Sequence, residues 1–344
     1  MIANNGLPEV ATAERSFYFQ WHFLERCNLR CQHCYQNEYV TDELGNDDLL
    51  RIAKAMEIAL QQWRYAGRIS ITGGEPLLAP EKLCLLLDFF ENSNPFRWIG
   101  ILTNGTLIDE AIVGRFSTYS KLKEVQVSLD GATEQTHDAI RGQGNYTRAL
   151  KGLGLLRAAS VPTSIMFTAT QHNVHEASSI IDLAMELGVG AITIERATPI
   201  GPRCDASEIV DHKLLRSTYE AIAARKKCLN GHSSLRIRTS RPLWCLVDPE
   251  LGGFCPAGFS CLAILHNGDA LPCRRLEIPV GNILKDGIFS IWYTSKILWQ
   301  LRDKSLLAAD CQKCAFVGRC GGCRASAYAM TGDMMARDPQ CWKE

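Results

Sequence analysis

The sequence lacks the features that direct a protein out of the cytoplasm, into a membrane or onto nucleic acid. Met1 to Ser16 contain no basic region followed by an apolar stretch, so no export signal is predicted and disulfide bonds are not expected. No apolar run reaches the roughly 18 residues that a membrane-spanning helix needs. Lysine plus arginine equals aspartate plus glutamate at 37 each, which leaves no net charge to attract nucleic acid or a membrane surface. We therefore expect a cytoplasmic protein whose partners include neither nucleic acid nor a membrane.

Cysteine, in contrast, is abundant, with 15 residues in a chain of 344. In a protein that is not exported, so many cysteines indicate metal ligands. Cys27, Cys31 and Cys34 form a CxxxCxxC pattern, which gives an iron-sulfur cluster three thiolates and leaves one iron open. A zinc site is the alternative, but it would need a fourth ligand, and His33 lies inside the CxxC, where we expect its side chain to point away. The pattern favours a cluster that can bind a small molecule.

Short apolar segments alternate with helix-length segments over residues 17–199. A helical pattern covers Asp47 to Trp63. We predict six strands, at Phe17 to Leu24, Arg68 to Thr72, Trp98 to Thr103, Val125 to Leu129, Thr163 to Thr168 and Ala191 to Glu195. Six such units imply an α/β protein with a parallel sheet, built either as an open doubly wound sheet or as a partial barrel. In both architectures functional residues lie at the carboxyl ends of the strands.

Polar motifs follow three of these strands. In strand order they are Gly73, Gly74, Glu75 and Pro76, then Thr103 and Asn104, then Ser128 and Asp130. Glycines at such a position let the backbone approach a ligand closely, although strand-to-helix turns and N-caps use the same residue types. Arg141 lies beyond the last motif, and its guanidinium could grip a carboxylate bidentately or remain in solvent.

The last hundred residues carry a second, denser cysteine pattern. Asn267-Gly268 is a hairpin signal between two short strands in this region. Eight cysteines make two complete sets of four ligands, namely Cys255, Cys261, Cys273, Cys311, Cys314, Cys320, Cys323 and Cys341. Such sets cross-link a segment that is poor in apolar core, and either iron-sulfur clusters or zinc ions could do so.

Together these motifs resemble the radical S-adenosylmethionine (SAM) superfamily with a C-terminal SPASM domain. The resemblance implies a partial (β/α)6 barrel followed by a small cysteine-rich domain with a β-hairpin. It implies an N-terminal extension at 1–16, the barrel at 17–199, a bridging segment at 200–244 and the SPASM domain at 245–344. The bridging segment, with a charged helical stretch from Lys213 to Lys227, offers little chemistry.

The resemblance also implies how SAM is held. The amino and carboxylate groups of SAM would chelate the open iron of a 4Fe-4S cluster on the first three cysteines, and one electron would release a 5'-deoxyadenosyl radical. Backbone carbonyls and Glu75 would hold the amino group, Ser128 and Asp130 would contact the ribose and carboxylate, and Arg141 would bind the carboxylate. The backbone of Tyr35 would lie against the adenine.

The SPASM resemblance implies two auxiliary 4Fe-4S clusters, and therefore three clusters and about twelve iron atoms per chain. The first auxiliary cluster would take Cys255, Cys261, Cys273 and Cys323, and the second Cys311, Cys314, Cys320 and Cys341. Two residues separate Cys320 from Cys323, where many members have three. Cys245 is an alternative ligand for the first cluster, and Cys84, Cys204 and Cys228 have no assigned role.

The substrate is less clearly indicated. Arg274 and Arg275 follow Cys273, where sulfatase-maturing members carry a carboxylate, so sulfatase maturation is disfavoured. Arg274 and Glu195 are the candidate catalytic residues. The paired arginines could bind substrate carboxylates, face solvent or tune a cluster. Glu195 and Arg196, at the end of the sixth strand, could hold substrate or SAM or form a plain strand-end ion pair. Oxidative modification of a ribosomally made peptide is favoured over decarboxylation of tetrapyrrole propionates, with sugar or nucleoside oxidation third. An iron-sulfur electron carrier is the non-catalytic alternative.

Two partners follow from the resemblance. A low-potential ferredoxin or flavodoxin would supply the electron. About sixteen residues precede the first strand, too few for a leader-recognition module, so a peptide substrate would be recognised by a separate protein or by the barrel mouth.

Overall fold

The computed structural model describes residues 15–36, 39 and 42–343. The predicted N-terminal extension lies outside these residues except for its last two positions. Ten strands are present in the described chain: β1 Ser16–His22, β2 Ala66–Thr72, β3 Phe96–Thr103, β4 Leu122–Ser128, β5 Thr163–Ala169, β6 Ala191–Arg196, β7 Arg236–Arg238, β8 Cys261–Ile264, β9 Asp269–Leu271 and β10 Gly281–Asn282.

Helices connect these strands and cover the sheet. The α-helices of the described chain are α1 Asn46–Trp63, α2 Pro80–Asn92, α3 Glu110–Phe116, α4 Glu134–Arg141, α5 Asn145–Ala158, α6 Ser179–Glu186, α7 His212–Leu229, α8 Ile288–Thr294, α9 Lys296–Arg302, α10 Ala309–Gln312 and α11 Arg324–Thr331. Within the described residues, no helix combines the length and the apolar character that crossing a bilayer requires.

All ten strands belong to one sheet, in the order β10-β9-β8-β1-β2-β3-β4-β5-β6-β7. Strands β1 to β7 pair in parallel with their sequence neighbours, as expected of repeated strand-helix units. The six predicted barrel strands are confirmed, and so is the α/β class. Since parallel strands end at the same edge of a sheet, the three polar motifs lie at one end of it.

Side chains alternate along each strand, so one face of the sheet packs in the hydrophobic core and the other face lines the inside of the barrel. In β1, Phe17, Phe19 and Trp21 are buried in the main hydrophobic core. Tyr18 and His22 point to the opposite face, because successive side chains in a strand alternate. The same alternation in β6 places Glu195 on that interior face.

The cysteine-rich tail continues the sheet instead of standing apart from it. β8 pairs in parallel with β1, with Tyr18 opposite Cys261. β8 and β9 form the predicted hairpin around Asn267-Gly268, and β10 adds a further antiparallel strand. The sequence did not indicate β10, nor β7, which lies inside the segment expected to be a bridge.

Candidate functional site

The site begins where the loops after β1 and β2 run side by side. Backbone N–H groups of Phe23, Gly74 and Glu75 donate to carbonyls of Thr72, Leu24 and Arg26, at 3.0, 2.8 and 2.8 Å. These bonds extend the parallel pairing beyond the strand ends, so the glycine motif is held against the loop that carries the first cysteines.

Gly74 is required by this close approach. A Cβ atom at this position would lie 2.3 Å from the carbonyl oxygen of Arg26 and 2.5 Å from that of Glu25. Both obstacles are backbone atoms, which cannot rotate away. Gly73 is similarly confined, because a Cβ there would lie 2.8 Å from the carbonyl oxygen of Leu24.

The three cysteines of the first pattern are neighbours in this loop. Burial raises the pKa of Cys27 to about 12 and also raises that of Cys31. Arg141, at the end of α4, brings Nη1 to 3.7 Å from the sulfur of Cys31. The structure thus brings together three thiols and the arginine that the sequence singled out.

Glu75 is completely buried, and both oxygens of its carboxylate have partners. Oε1 accepts hydrogen bonds from the Thr103 hydroxyl at 2.7 Å and the Leu77 N–H at 3.1 Å, while Oε2 accepts from the Asn104 N–H at 2.8 Å. Burial raises the pKa of Glu75 to about 7 despite these bonds. Thr103 and Asn104 therefore position Glu75, and a nearby cation would favour its ionised form.

Asp130 is also completely buried and joins two parts of the site. Its Oδ2 accepts from Arg141 at 2.5 Å and lies 2.6 Å from Nε2 of His33, and its Oδ1 accepts from the Thr168 N–H at 2.8 Å. Burial alone would raise the pKa of Asp130, but Arg141 and His33 outweigh burial and lower it. Asp130 thus fixes the arginine beside Cys31. The neighbouring Ser128 ends β4 and is half-buried.

Tyr35 lies between the first cysteine loop and the tail. The Arg274 guanidinium stands 4.3 Å from its ring centroid, and the Arg274 Nε lies 3.4 Å from His22 Nδ1. Burial is the main cause that lowers the pKa of His22 to about 4, and the positive charge of Arg274 is the second cause. Since Tyr35 follows Cys34 and Arg274 follows Cys273, one ring contact connects the two cysteine systems.

Glu195 connects the far end of the sheet to the tail. Its carboxylate lies 3.2 Å from Arg241, after β7, and 3.6 Å from Arg275, after β9. The adjacent Arg196 forms a buried ion pair with Asp338.

Asp338 holds the segment around Cys323. It accepts a hydrogen bond from the Cys323 N–H at 2.7 Å, while Gln340 accepts one from Arg196 at 2.6 Å. Arg196 on β6 thereby fixes the C-terminal segment to the barrel.

The tail cysteines lie in two neighbourhoods. Cys255, Cys261, Cys273 and Cys323 all pack in one small apolar cluster with Leu276 and Leu301. In the other group, Cys311 neighbours Cys320 and Cys341. All fifteen cysteines carry free thiols.

Cys245 lies with the second group, where the sequence had suggested the first. A hydrogen bond from Cys245 lowers the pKa of Cys320 to about 6 and raises that of Cys245 itself. Its distance along the chain from the other cysteines gave no indication of this contact.

The cysteine groups suit a multi-iron cluster in the kind of donor they offer. Among the described residues, no three cysteine, histidine or acidic side chains converge on the position of a single metal ion. Thiolate sulfur is the donor that iron-sulfur clusters take from proteins.

Sequence reasoning missed Arg241, Asp338 and the contact of His33 with Asp130. Arg241 stands in a polar segment where nothing distinguishes it from a solvent-exposed side chain. His33 was expected only to point away from the thiols, and its partner lies 97 positions further along the chain.

Comparison with known proteins identifies two families along the chain. The model of the radical SAM superfamily matches residues 21–184. The model of the SPASM iron-sulfur cluster-binding domain matches residues 255–315. The first match contains the three-cysteine loop and the Glu75 loop, and the second contains the hairpin.

Curated relatives cover nearly all of the chain. An AdoMet-dependent heme synthase from Methanosarcina barkeri is 28% identical over 370 residues, covering 99% of this chain and 98% of the relative. The mycofactocin maturase MftC from Mycobacterium ulcerans is 28% identical over 334 residues, covering 93% of this chain and 86% of the relative.

Solved structures share the fold. Streptococcus suis SuiB bound to S-adenosylmethionine superposes with a TM-score of 0.77 at 19% identity, covering 96% of this chain and 78% of SuiB. SuiB has also been crystallised with its precursor peptide SuiA.

Proposed function

Because the chain belongs to the radical SAM superfamily and carries a SPASM domain, we propose that it cleaves SAM reductively and uses the resulting radical to abstract a hydrogen atom from its substrate. Oxidative modification of that substrate would follow, as a cross-link, a decarboxylation or a desaturation. The observation that carries the proposal is the hydrogen-bonded pairing of Leu24 and Arg26, directly before Cys27, with Gly74 and Glu75.

The residues at this pairing fit a cluster that binds SAM. Cys27, Cys31 and Cys34 would hold three irons. The buried carboxylate of Glu75, which forms no ion pair within the described residues, is suited to the SAM amino group. Bound there and reduced by one electron, SAM supplies the 5'-deoxyadenosyl radical. Arg141 would bind the SAM carboxylate, with Asp130 fixing its orientation. Direct contacts of Ser128 and Asp130 with SAM, and of the Tyr35 backbone with adenine, stay predictions.

The two tail groups would each hold a 4Fe-4S cluster, which makes three clusters per chain. Their grouping and their link to the barrel through Arg196 support this assignment. The domain limits at 17–199, 200–244 and 245–344 also stay predictions, as does a low-potential ferredoxin or flavodoxin as the electron donor.

A ribosomally made peptide is the substrate we propose. The similarity to a mycofactocin maturase and the fold shared with SuiB, which binds a precursor peptide, support this choice. A separate recognition protein could deliver the peptide. Tetrapyrrole decarboxylation is the second candidate, because the similarity to the heme synthase extends over 98% of that relative.

The test of the reaction uses anaerobically reconstituted full-length protein with SAM and dithionite. We expect 5'-deoxyadenosine from the wild type and about twelve irons per chain. Cys31→Ala should abolish 5'-deoxyadenosine formation and retain about eight irons, those of the tail. Cys228→Ala is the matched control, since Cys228 is exposed on α7 and belongs to neither group.

Two outcomes would contradict the proposal. SAM cleavage by Cys31→Ala would mean that the radical cluster lies elsewhere. Wild-type protein that holds iron but forms no 5'-deoxyadenosine would be an electron carrier. Flanking genes discriminate the substrates, since a gene for a short cysteine- or glycine-rich peptide supports maturation and sirohaem genes support tetrapyrrole chemistry.

A further inference from the structure

Where the two ends of the curved sheet meet, positively charged side chains outnumber negatively charged ones. Glu195 at the end of β6 lies 3.2 Å from Arg241 and 3.6 Å from Arg275. Arg275 follows β9, on the opposite side of β1 from β6 in the strand order. One carboxylate therefore faces two guanidinium groups across the seam of the barrel, which leaves one positive charge in excess.

Neighbouring carboxylates do not remove this excess. Glu277 forms an ion pair with Arg274 at 3.0 Å, and Asp338 forms one with Arg196. Glu25 lies between two histidines. In the described part of the chain, the ion pairs of Arg241 and Arg275 are those with Glu195.

Both arginine side chains retain accessible surface. The side chain of Arg241 keeps 40% of its surface accessible and that of Arg275 keeps 20%, whereas Glu195 keeps 9%. Glu195 is the more buried partner, and in the described residues the ion pairs with Glu195 are the polar side-chain contacts of the two arginines. Arginine presents its N–H donors in a planar fork that matches a carboxylate.

We propose that Arg241 and Arg275 form a subsite that binds a carboxylate of the substrate, and that Glu195 positions them. The proposal deepens the proposed function and rests on it. The carboxylate could come from an acidic peptide or from a propionate side chain, since both present the same two oxygens. Arg274, turned to Tyr35 and Glu277, is not part of this subsite.

A purely electrostatic role is the competing explanation, because Arg275 is two residues from Cys273 and could offset the charge of a cluster. Charge removal at Glu195 separates the two explanations. Glu195→Gln keeps the side-chain shape and an oxygen that accepts from the arginines, so they should stay in place, but it removes the negative charge that competes with a ligand. A carboxylate ligand should therefore bind several-fold more tightly. If the arginines do not bind the ligand and the three residues only hold the two sheet ends together, Glu195→Gln should weaken binding as Arg275→Gln does.

The test measures binding to cluster-loaded full-length protein without SAM, so that it does not depend on SAM cleavage. One probe pair is a metal-free porphyrin with propionate side chains and its methyl ester. The other is an acetylated Gly-Glu repeat octapeptide and its Gly-Gln counterpart. The wild type should bind at least one carboxylate form roughly tenfold to a hundredfold more tightly than its neutral partner, the range for a charged hydrogen-bonded pair.

Arg275→Gln and Arg241→Gln should remove this preference, and Arg216→Gln should retain it. Arg216 is a matched control because it pairs with Glu220 at 2.8 Å on the exposed face of α7. A preference confined to the porphyrin pair identifies propionate as the source, and one confined to the peptide pair identifies an acidic peptide.

Equal wild-type binding of charged and neutral probes would overturn the subsite, and this comparison needs no variant. Equal weakening by Glu195→Gln and Arg275→Gln would also overturn it. Failure of the proposed function would appear separately, as absence of 5'-deoxyadenosine in the SAM assay while the probe preference persists.

Discussion

Replacement of Gly74 by alanine tests whether the two paired loops form the SAM site. The new Cβ would stand 2.3 Å from the Arg26 carbonyl oxygen, where ordinary contact begins at 3.4 Å, so the loops must separate by about 1 Å. Two 2.8 Å backbone hydrogen bonds, from Gly74 to Leu24 and from Glu75 to Arg26, would then be broken. Each is worth about 0.5–1.5 kcal/mol, and overpacking costs about 1–3 kcal/mol more. The total is about 2–6 kcal/mol, and if SAM binding requires the paired loops, even its lower limit corresponds to about a thirtyfold loss of SAM affinity.

Equilibrium binding of SAM to the cluster-loaded protein, together with thermal unfolding, measures this loss. Gly114→Ala is the matched control, because a Cβ there meets nothing within 4 Å on the exposed face of α3. We expect the control to bind SAM normally and to be about 0.5–1 kcal/mol more stable, as for glycine in a helix. Wild-type SAM affinity in Gly74→Ala would refute the reasoning.

Three further predictions concern burial and charge. SAM affinity should rise from pH 6 to pH 8, because the pKa of Glu75 is raised to about 7 and its ionised form attracts the SAM amino group; Glu75→Gln should bind weakly at both pH values by calorimetry. Arg196→Met leaves the buried Asp338 without its cationic partner and should lower the free energy of unfolding by about 3–5 kcal/mol, measured by thermal unfolding, with iron lost from the tail; unchanged iron would contradict this. Trp244→Ala removes a ring stacked 3.8 Å from that of Tyr219, and it should lower the free energy of unfolding in denaturant by about 3–5 kcal/mol. Tyr219→Phe keeps the stacked ring and should have only a small effect.

Much of the barrel could be predicted from the sequence because its signals are local. Each of the six strands is an apolar segment next to a helix-length segment, and β1, predicted at Phe17 to Leu24, differs from the observed strand only at its ends. The hairpin at Asn267-Gly268 was likewise visible as a turn signal. The three-residue β7 and two-residue β10 are too short to show a period, so tertiary pairing decides them.

The site was predictable only where a motif fixes residues by spacing. Cysteine spacing indicated the first loop, and the resemblance to SPASM domains implied the two tail groups, whereas the partners of Glu195 and Arg196 lie 46 to 142 positions away. Such contacts depend on how the curved sheet closes, and no local pattern encodes this closure. Cys245 illustrates the limit, because its contact with Cys320 crosses 75 positions.

The parallel pairing of β8 with β1 makes the tail a structural neighbour of the first barrel strand. If the chain were cut before the hairpin, β1 would become a bare edge with unsatisfied N–H and C=O groups along Tyr18 to Trp21. Such an edge recruits strands from other molecules and promotes aggregation. The two halves of this protein are therefore a poor choice for separate expression, because the main chain of the tail completes the hydrogen bonding of the first barrel strand.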